Sequence, residues 1–278
     1  RRLAGPDTRI IDLQGRTVIP GLIDSHSHFL RAARHYSASV DIGDAKSVAD
    51  ALALIAASAK ASAPGEWVVV HGGWHSNQFA ERRPPSPAEL DEAAPRNPVF
   101  LLQGYELLLL NTPALAKLGI TSADSLPAPM KVAIDEQGKP TGEIVTTGNS
   151  MKVNQLLASI RSSDEESAVR NTLAFMQALG RAGLTGFIDD GGLAGPDQYE
   201  AIKTLWRKGE LPVRVRYNLF SLKAGEEIDD IEASLATVRA PREDDWLRLM
   251  GLGELMTAGM YISSSATDPQ SPSAEVKK

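Results

Sequence analysis

The sequence predicts an α/β protein whose later part repeats a strand-and-helix unit, and two observations carry that reading. From residue 163 onward, helical and extended apolar patterns alternate, as parallel βα units require. Strand starts in this region also recur about every 30 residues, the size of one such unit. A closed eight-stranded barrel takes about 250 residues of these repeats. The 278 residues hold strands for about four units, so the pattern alone fits an open four-stranded α/β sheet or half of a barrel.

Taken in order, residues 8–18 alternate around Gln14-Gly15 and predict two short strands joined by a Gly-bearing turn. Pro20-Gly21 then punctuates the chain. Leu22-Ile23-Asp24-Ser25-His26-Ser27-His28 reads as a short strand, in which residues two apart share a face, so Asp24, His26 and His28 point together. Ser47 with Asp50 three residues on forms a capping box for a helix over 48–62 that stops before Pro64-Gly65. Residues 67–148 change texture, with short strands over 99–103 and 131–134, prolines around Pro84-Pro85-Ser86-Pro87 and a Gln137-Gly138 turn. They read as an α+β insert.

Ser163 and Glu166 open a helix whose Val169, Leu173, Met176 and Leu179 keep helical spacing up to Gly183. A strand over 184–188, a helix over 199–208, a strand over 213–220, a helix over 226–238 and a strand over 247–250 complete the series. The strands over 184–188 and 213–220 read as apolar on both faces, as strands buried between helices and a barrel interior are. The resulting plan is a β-sandwich remnant over 1–20, a first βα unit over 21–66, the insert over 67–150 and units two to four over 151–278.

Composition narrows the function. Lys and Arg total 29 against 35 Asp and Glu, a net charge of -6, so no basic surplus exists to neutralise nucleic-acid phosphates. With no cysteine, thiolate catalysis and thiolate metal sites are excluded, and any metal falls to His, Asp and Glu. Apolar runs such as 107–110 are far shorter than the ~20 residues a bilayer span needs. Residue 1 is Arg, with no apolar leader after it, so the expectation is a segment of a longer protein, its compartment open and self-association possible.

His26-Ser27-His28 is the main chemical signal, because alternation aims both imidazoles one way, as two ligands of one metal require. Hydrogen-bonded strand-end histidines remain the alternative. His71 and His75 flank Gly72-Gly73-Trp74 and read as loop histidines, and His35 as a residue of the connection after the first strand. Asp189-Asp190-Gly191-Gly192 ends a strand at the edge from which parallel barrels bind substrate, but also suits a turn. Trp74, Tyr105, Asn111 and Asp189 are the candidate substrate contacts, each with a structural role as its alternative.

The segment from Gly15 through Pro20-Gly21 to His26-Ser27-His28 resembles the signature of the metal-dependent amidohydrolase superfamily. Gly72-Gly73-Trp74, the stretch 84–90, Ala94-Pro95-Arg96-Asn97-Pro98-Val99, Leu110-Asn111-Thr112-Pro113-Ala114-Leu115 and Gly138-Lys139-Pro140-Thr141-Gly142 resemble the insert of its N-substituted formamide deformylase-like branch. The resemblance implies a partial (β/α) TIM-like barrel of about four units, holding one or two divalent ions, zinc first. His26 and His28 would be ligands, and Glu254, in Gly251-Leu252-Gly253-Glu254, would bridge on strand four, the alternative being a strand-end Glu that only solvates the rim. It further implies hydroxide attack on the carbonyl of a small amide-like substrate, at a C–N bond other than a peptide bond. Two later His and a late Asp, expected on strands five, six and eight, are not in this sequence. That departure supports truncation and leaves open a catalytically incomplete fragment or binding module; because the same hydroxide attacks esters, a metal-dependent esterase or lactonase also stays open.

Overall fold

The structure is a computed structural model describing residues 5–34, 36–104, 106–146, 151–160, 164–191, 199–219, 221, 225–238 and 244–254. In chain order, β1 (Leu22–Ser27), α1 (Phe29–Ala33) and α2 (Val48–Ala61) come first. The middle holds β2 (Val68–His71), α3 (Pro87–Ala93), β3 (Val99–Gln103), β4 (Leu107–Leu110), α4 (Thr112–Leu118), β5 (Met130–Ile134), β6 (Pro140–Thr146) and α5 (Met151–Ile160). Then come α6 (Glu165–Arg181), β7 (Leu184–Asp189), α7 (Glu200–Arg207), β8 (Arg214–Leu219), α8 (Glu227–Val238) and β9 (Leu247–Leu252).

These strands form two sheets. The first is parallel throughout, in the order β1-β7-β8-β9. Its core joins Phe187, Val215, Tyr217, Leu219 and Leu247 to Phe29, Leu30 and Ala33 of α1, Met176 of α6 and Ile202 and Leu205 of α7. Helices therefore cover one face. The expectation that 213–220 is apolar on both faces is corrected: Val215, Tyr217 and Leu219 are buried toward the helices, while the alternating Arg214, Arg216 and Asn218 are not buried. An alternating strand of this kind has one packed face and one polar one. Among the described residues the sheet is open, with β1 and β9 each paired to one neighbour.

The segment before β1 also differs from expectation. Gln14 (φ 49°) and Gly15 (φ 78°) make a tight turn closed by the Arg16 N–H donating to the Leu13 carbonyl at 2.9 Å. Positive φ at both central residues is the hairpin-turn geometry. Yet no strand forms over 5–21, and Ile10, Ile11, Val18 and Ile19 are exposed. Two arms without a surface to pack on gain too little to pair stably. Gly21 explains part of the Pro-Gly signal, since a Cβ there would collide with the Thr185 side chain on β7.

The second sheet is mixed, in the order β2-β3-β4-β6-β5, with only β2 and β3 parallel. Its runs Val68-Val69-Val70 and Leu107-Leu108-Leu109-Leu110 are continuous because both faces are covered. Val68, Val70, Leu101 and Leu109 face one core with α2 and α3, and Val69, Phe100, Leu102 and Leu108 face the other with α4 and α5. The capping box on α2 is present, Ser47 accepting from the Asp50 N–H and Asp50 accepting from Ser47. However, α2 buries Val48, Ala51, Ile55 and Ala59 against this mixed sheet, and it is α1 that covers the parallel one. The cap of α6 is Asp164, whose carboxylate accepts from the Ser167 N–H at 2.6 Å; Ser163 lies outside the described residues.

Candidate metal centre

The C-terminal ends of all four parallel strands meet at one place. Strand alternation on β1 brings the two imidazoles together, with ring centroids 5.6 Å apart and planes at 90°. Glu254, just past β9, lies opposite them: Oε1 is 3.8 Å from His26 Nε2 and Oε2 is 3.3 Å from His28 Nε2. Backbone bonds set its position, since the Gly253 N–H donates to the Leu219 carbonyl at 3.0 Å and the Glu254 N–H to the Asp190 carbonyl at 2.7 Å. His26 is 57% exposed and His28 28%, so the group is open to solvent on one side.

Asp190, just past β7, sits behind this group. Its Oδ2 is 3.2 Å from His26 Nδ1, and its Oδ1 accepts from the Asn218 amide of β8 at 2.5 Å. His28 Nδ1 is 2.8 Å from the Gly191 carbonyl oxygen. Asp24, expected on the same side as the histidines, accepts from the His26 N–H at 3.1 Å.

The preceding Asp189 has a different role from the substrate contact expected of it. It is buried, its carboxylate accepting from the N–H groups of Leu30 and Gly191, each at 3.1 Å. Burial pushes its carboxyl up to about 6, outweighing those two bonds and the nearby positive groups. Tyr199, also buried, donates to the Asn218 carbonyl at 3.0 Å, and desolvation pushes its phenol up.

The other expected substrate contacts do not gather here. Trp74 is buried in the core of the mixed sheet, its indole N–H donating to the Leu102 carbonyl at 3.0 Å and its ring stacked on Phe79. Asn111 is fully buried and caps α4. Its Oδ1 accepts from Val99 and Ala114, and its amide donates to the carbonyls of Ala94 and Asn97. That uses its whole bonding capacity, so the structure places Trp74 and Asn111 in the core of the mixed sheet, away from the strand-end histidines. Tyr105 and His35 lie outside the described residues. His75 caps a short turn by accepting from the Asn77 N–H, as a loop histidine would.

Reading the sequence named the Asp189-Asp190 pair but chose Asp189 from it, and it missed Asn218, although a signal was there. Phe187 and Tyr217 are packed against the helices, so counting by twos puts Asp189 on the helix side and Asp190 and Asn218 on the other.

The donor set suits a metal ion. One ligand atom from each of His26, His28 and Glu254 can be chosen so that all lie within 4.8 Å of one another. Ligand bonds near 2.0–2.2 Å in a tetrahedral set put donors about 3.4 Å apart, close to the 3.3 and 3.8 Å found.

The α/β architecture, with its parallel sheet helix-covered on one face, has counterparts among solved structures. The fold is similar to that of a metal-dependent hydrolase of Pyrococcus horikoshii, with a TM-score of 0.52 and 20% identity over 84% of this chain and 42% of that one. The chain belongs to the amidohydrolase family, whose model matches residues 9–268. It is 32% identical over 193 residues to an N-substituted formamide deformylase of Arthrobacter pascens, covering 68% of this chain and 35% of the relative. It is 30% identical over 142 residues to the protein LONG AFTER FAR-RED 3 of Arabidopsis thaliana, covering 51% and 24%. The chain thus spans about a third or less of the length of these relatives.

Proposed function

We propose that the protein is a metal-dependent hydrolase of a small amide-like molecule, acting on a C–N bond other than a peptide bond. Under this reading His26, His28 and Glu254 are among the ligands of a divalent ion, zinc the first candidate, and the parallel strands belong to a larger barrel. The observation that carries it is the convergence of both Nε2 atoms and the Glu254 carboxylate at the C-terminal strand ends, the edge where parallel barrels place their sites. Similarity to a formamide deformylase supports the amide over the ester. A divalent ion supplies two things: a water acidified to a pKa of about 7 and polarisation of a carbonyl.

The chain's own residues do the holding. His26 and His28 offer neutral nitrogen donors from one strand, and Glu254 offers a carboxylate from the other sheet edge. The exposed side of the imidazoles leaves room for a substrate carbonyl. The test is to purify the protein in its natural full length, measure bound metal by mass spectrometry and assay N-substituted formamides beside the matching formate esters. Stoichiometric metal that falls with His26→Asn and His28→Asn, together with turnover of the formamide, is the expected result. Ester turnover alone would move the reading to an esterase, and absence of metal would overturn it.

A further inference from the structure

We infer that the Asp190-Gly191 turn selects the tautomer of both histidines, with Asp190 as the positioning residue of His26 and the Gly191 carbonyl as that of His28. This rests on the metal-centre reading above and deepens it. Each Nδ1 faces a group that can only accept: an aspartate carboxylate at 3.2 Å and a backbone carbonyl at 2.8 Å. An ionised carboxylate and a peptide carbonyl carry no proton to donate. The Glu254 carboxylate facing each Nε2 can also only accept, but it lies farther off, at 3.8 Å from His26 and 3.3 Å from His28. The shorter Nδ1 contacts therefore take the single proton of the neutral ring and leave both Nε2 lone pairs toward Glu254. Three electron-rich groups then converge within 4.8 Å, an arrangement that a cation between them would relieve.

Asp190 is itself held from three sides. Its Oδ1 accepts from Asn218, its N–H donates to the Ser27 carbonyl at 2.9 Å, and its carbonyl accepts from the Glu254 N–H. One residue thus orients a ligand on β1 by its side chain and places the ligand after β9 by its backbone. The two histidines also differ, because a carboxylate partner raises the donor strength of an imidazole more than a carbonyl does, and loss of such a partner typically weakens metal binding 10- to 100-fold.

The experiment uses the full-length protein with 15N-labelled histidine. In the metal-free form, long-range 1H–15N spectra report which nitrogen carries the proton, and zinc affinity is measured by competition with a chromophoric chelator. Wild type is expected to show the Nδ1–H form at both His26 and His28. Asp190→Ala should mix the tautomers at His26 only and weaken zinc about 10- to 100-fold. Asp190→Asn has a single acceptor oxygen for the two partners Asn218 and His26, so with that oxygen on the Asn218 amide its own N–H faces Nδ1, and it should shift His26 toward the Nε2–H form and weaken zinc as well. Unchanged His26 tautomer and zinc affinity in Asp190→Ala would overturn the inference while leaving the metal site intact. Failure of wild type to bind zinc would instead strike the metal reading, and the tautomer spectra would still decide this one. Should Asp190→Ala not fold, zinc affinity within twofold of wild type in both Asp190→Asn and Asn218→Ala would overturn it.

Discussion

Asn111 bonds four backbone groups from one fully buried side chain, so its loss leaves polar groups unpaired where water cannot reach. Asn111→Ala is expected to cost about 2–4 kcal/mol in a urea titration, with KM unchanged in whatever fraction stays folded. A raised KM at full stability would restore a substrate role. Asp189 acts in the opposite sense. Its carboxyl ordinarily titrates at 3.8 and in the folded protein near 6, so between those values the folded state holds the extra proton. Stability from this group is greatest at low pH and is lost as pH rises from about 4 through about 6, by about 3 kcal/mol in all. Measured against Asp189→Asn over pH 4–7, wild type should lose ground by up to that amount. A difference that stays flat with pH would show that the carboxyl titrates normally.

At the scale of elements, β6 depends on Gly142, at φ +95° where β6 runs antiparallel to β4. A Cβ there would collide with the Leu110 carbonyl oxygen and press on the Pro87 ring. Gly138, in the turn between β5 and β6, also has positive φ, but nothing lies within 4 Å of its missing Cβ. Gly142→Ala should therefore destabilise by about 3 kcal/mol or more, and Gly138→Asn by about 1 kcal/mol or less, because Asn tolerates the left-handed region. Thermal unfolding of the two variants checks the contrast, and equal losses would mean that φ alone, not the collision, sets the cost.

At the scale of the whole molecule, the parallel sheet presents β1 and β9 as edges among the described residues, and apolar side chains stay exposed at Leu22 and Ile23 of β1 and at Met250 and Leu252 of β9. The arms of the Gln14-Gly15 turn add Ile10, Ile11, Val18 and Ile19 to that exposed apolar surface. Unpaired edges with exposed apolar residues are templates for association. Residues 1–278 expressed alone are expected to self-associate in light scattering, and Ile23→Asp with Met250→Lys to shift the population toward monomer. A monodisperse wild-type chain would contradict this. Among the described residues no helix is long and apolar enough to cross a membrane.

By itself the sequence determined what depends on neighbours along the chain: the shared face of His26 and His28, the capping box at Ser47, the tight turns at Gly15 and Gly138, and the strand and helix order from β7 to β9. Only the tertiary structure decided which sheet α2 joins, that Trp74 and Asn111 are spent inside the core, and that Asp190 rather than Asp189 faces His26. It also decided that Glu254, more than two hundred positions after His28 in the chain, lies 3.3 Å from its Nε2. Periodicity is a local property, set by backbone geometry over a few residues. The centre is made by contacts such as that from His28 to Gly191, 163 residues apart, and these exist only once parallel pairing has brought the strand ends together.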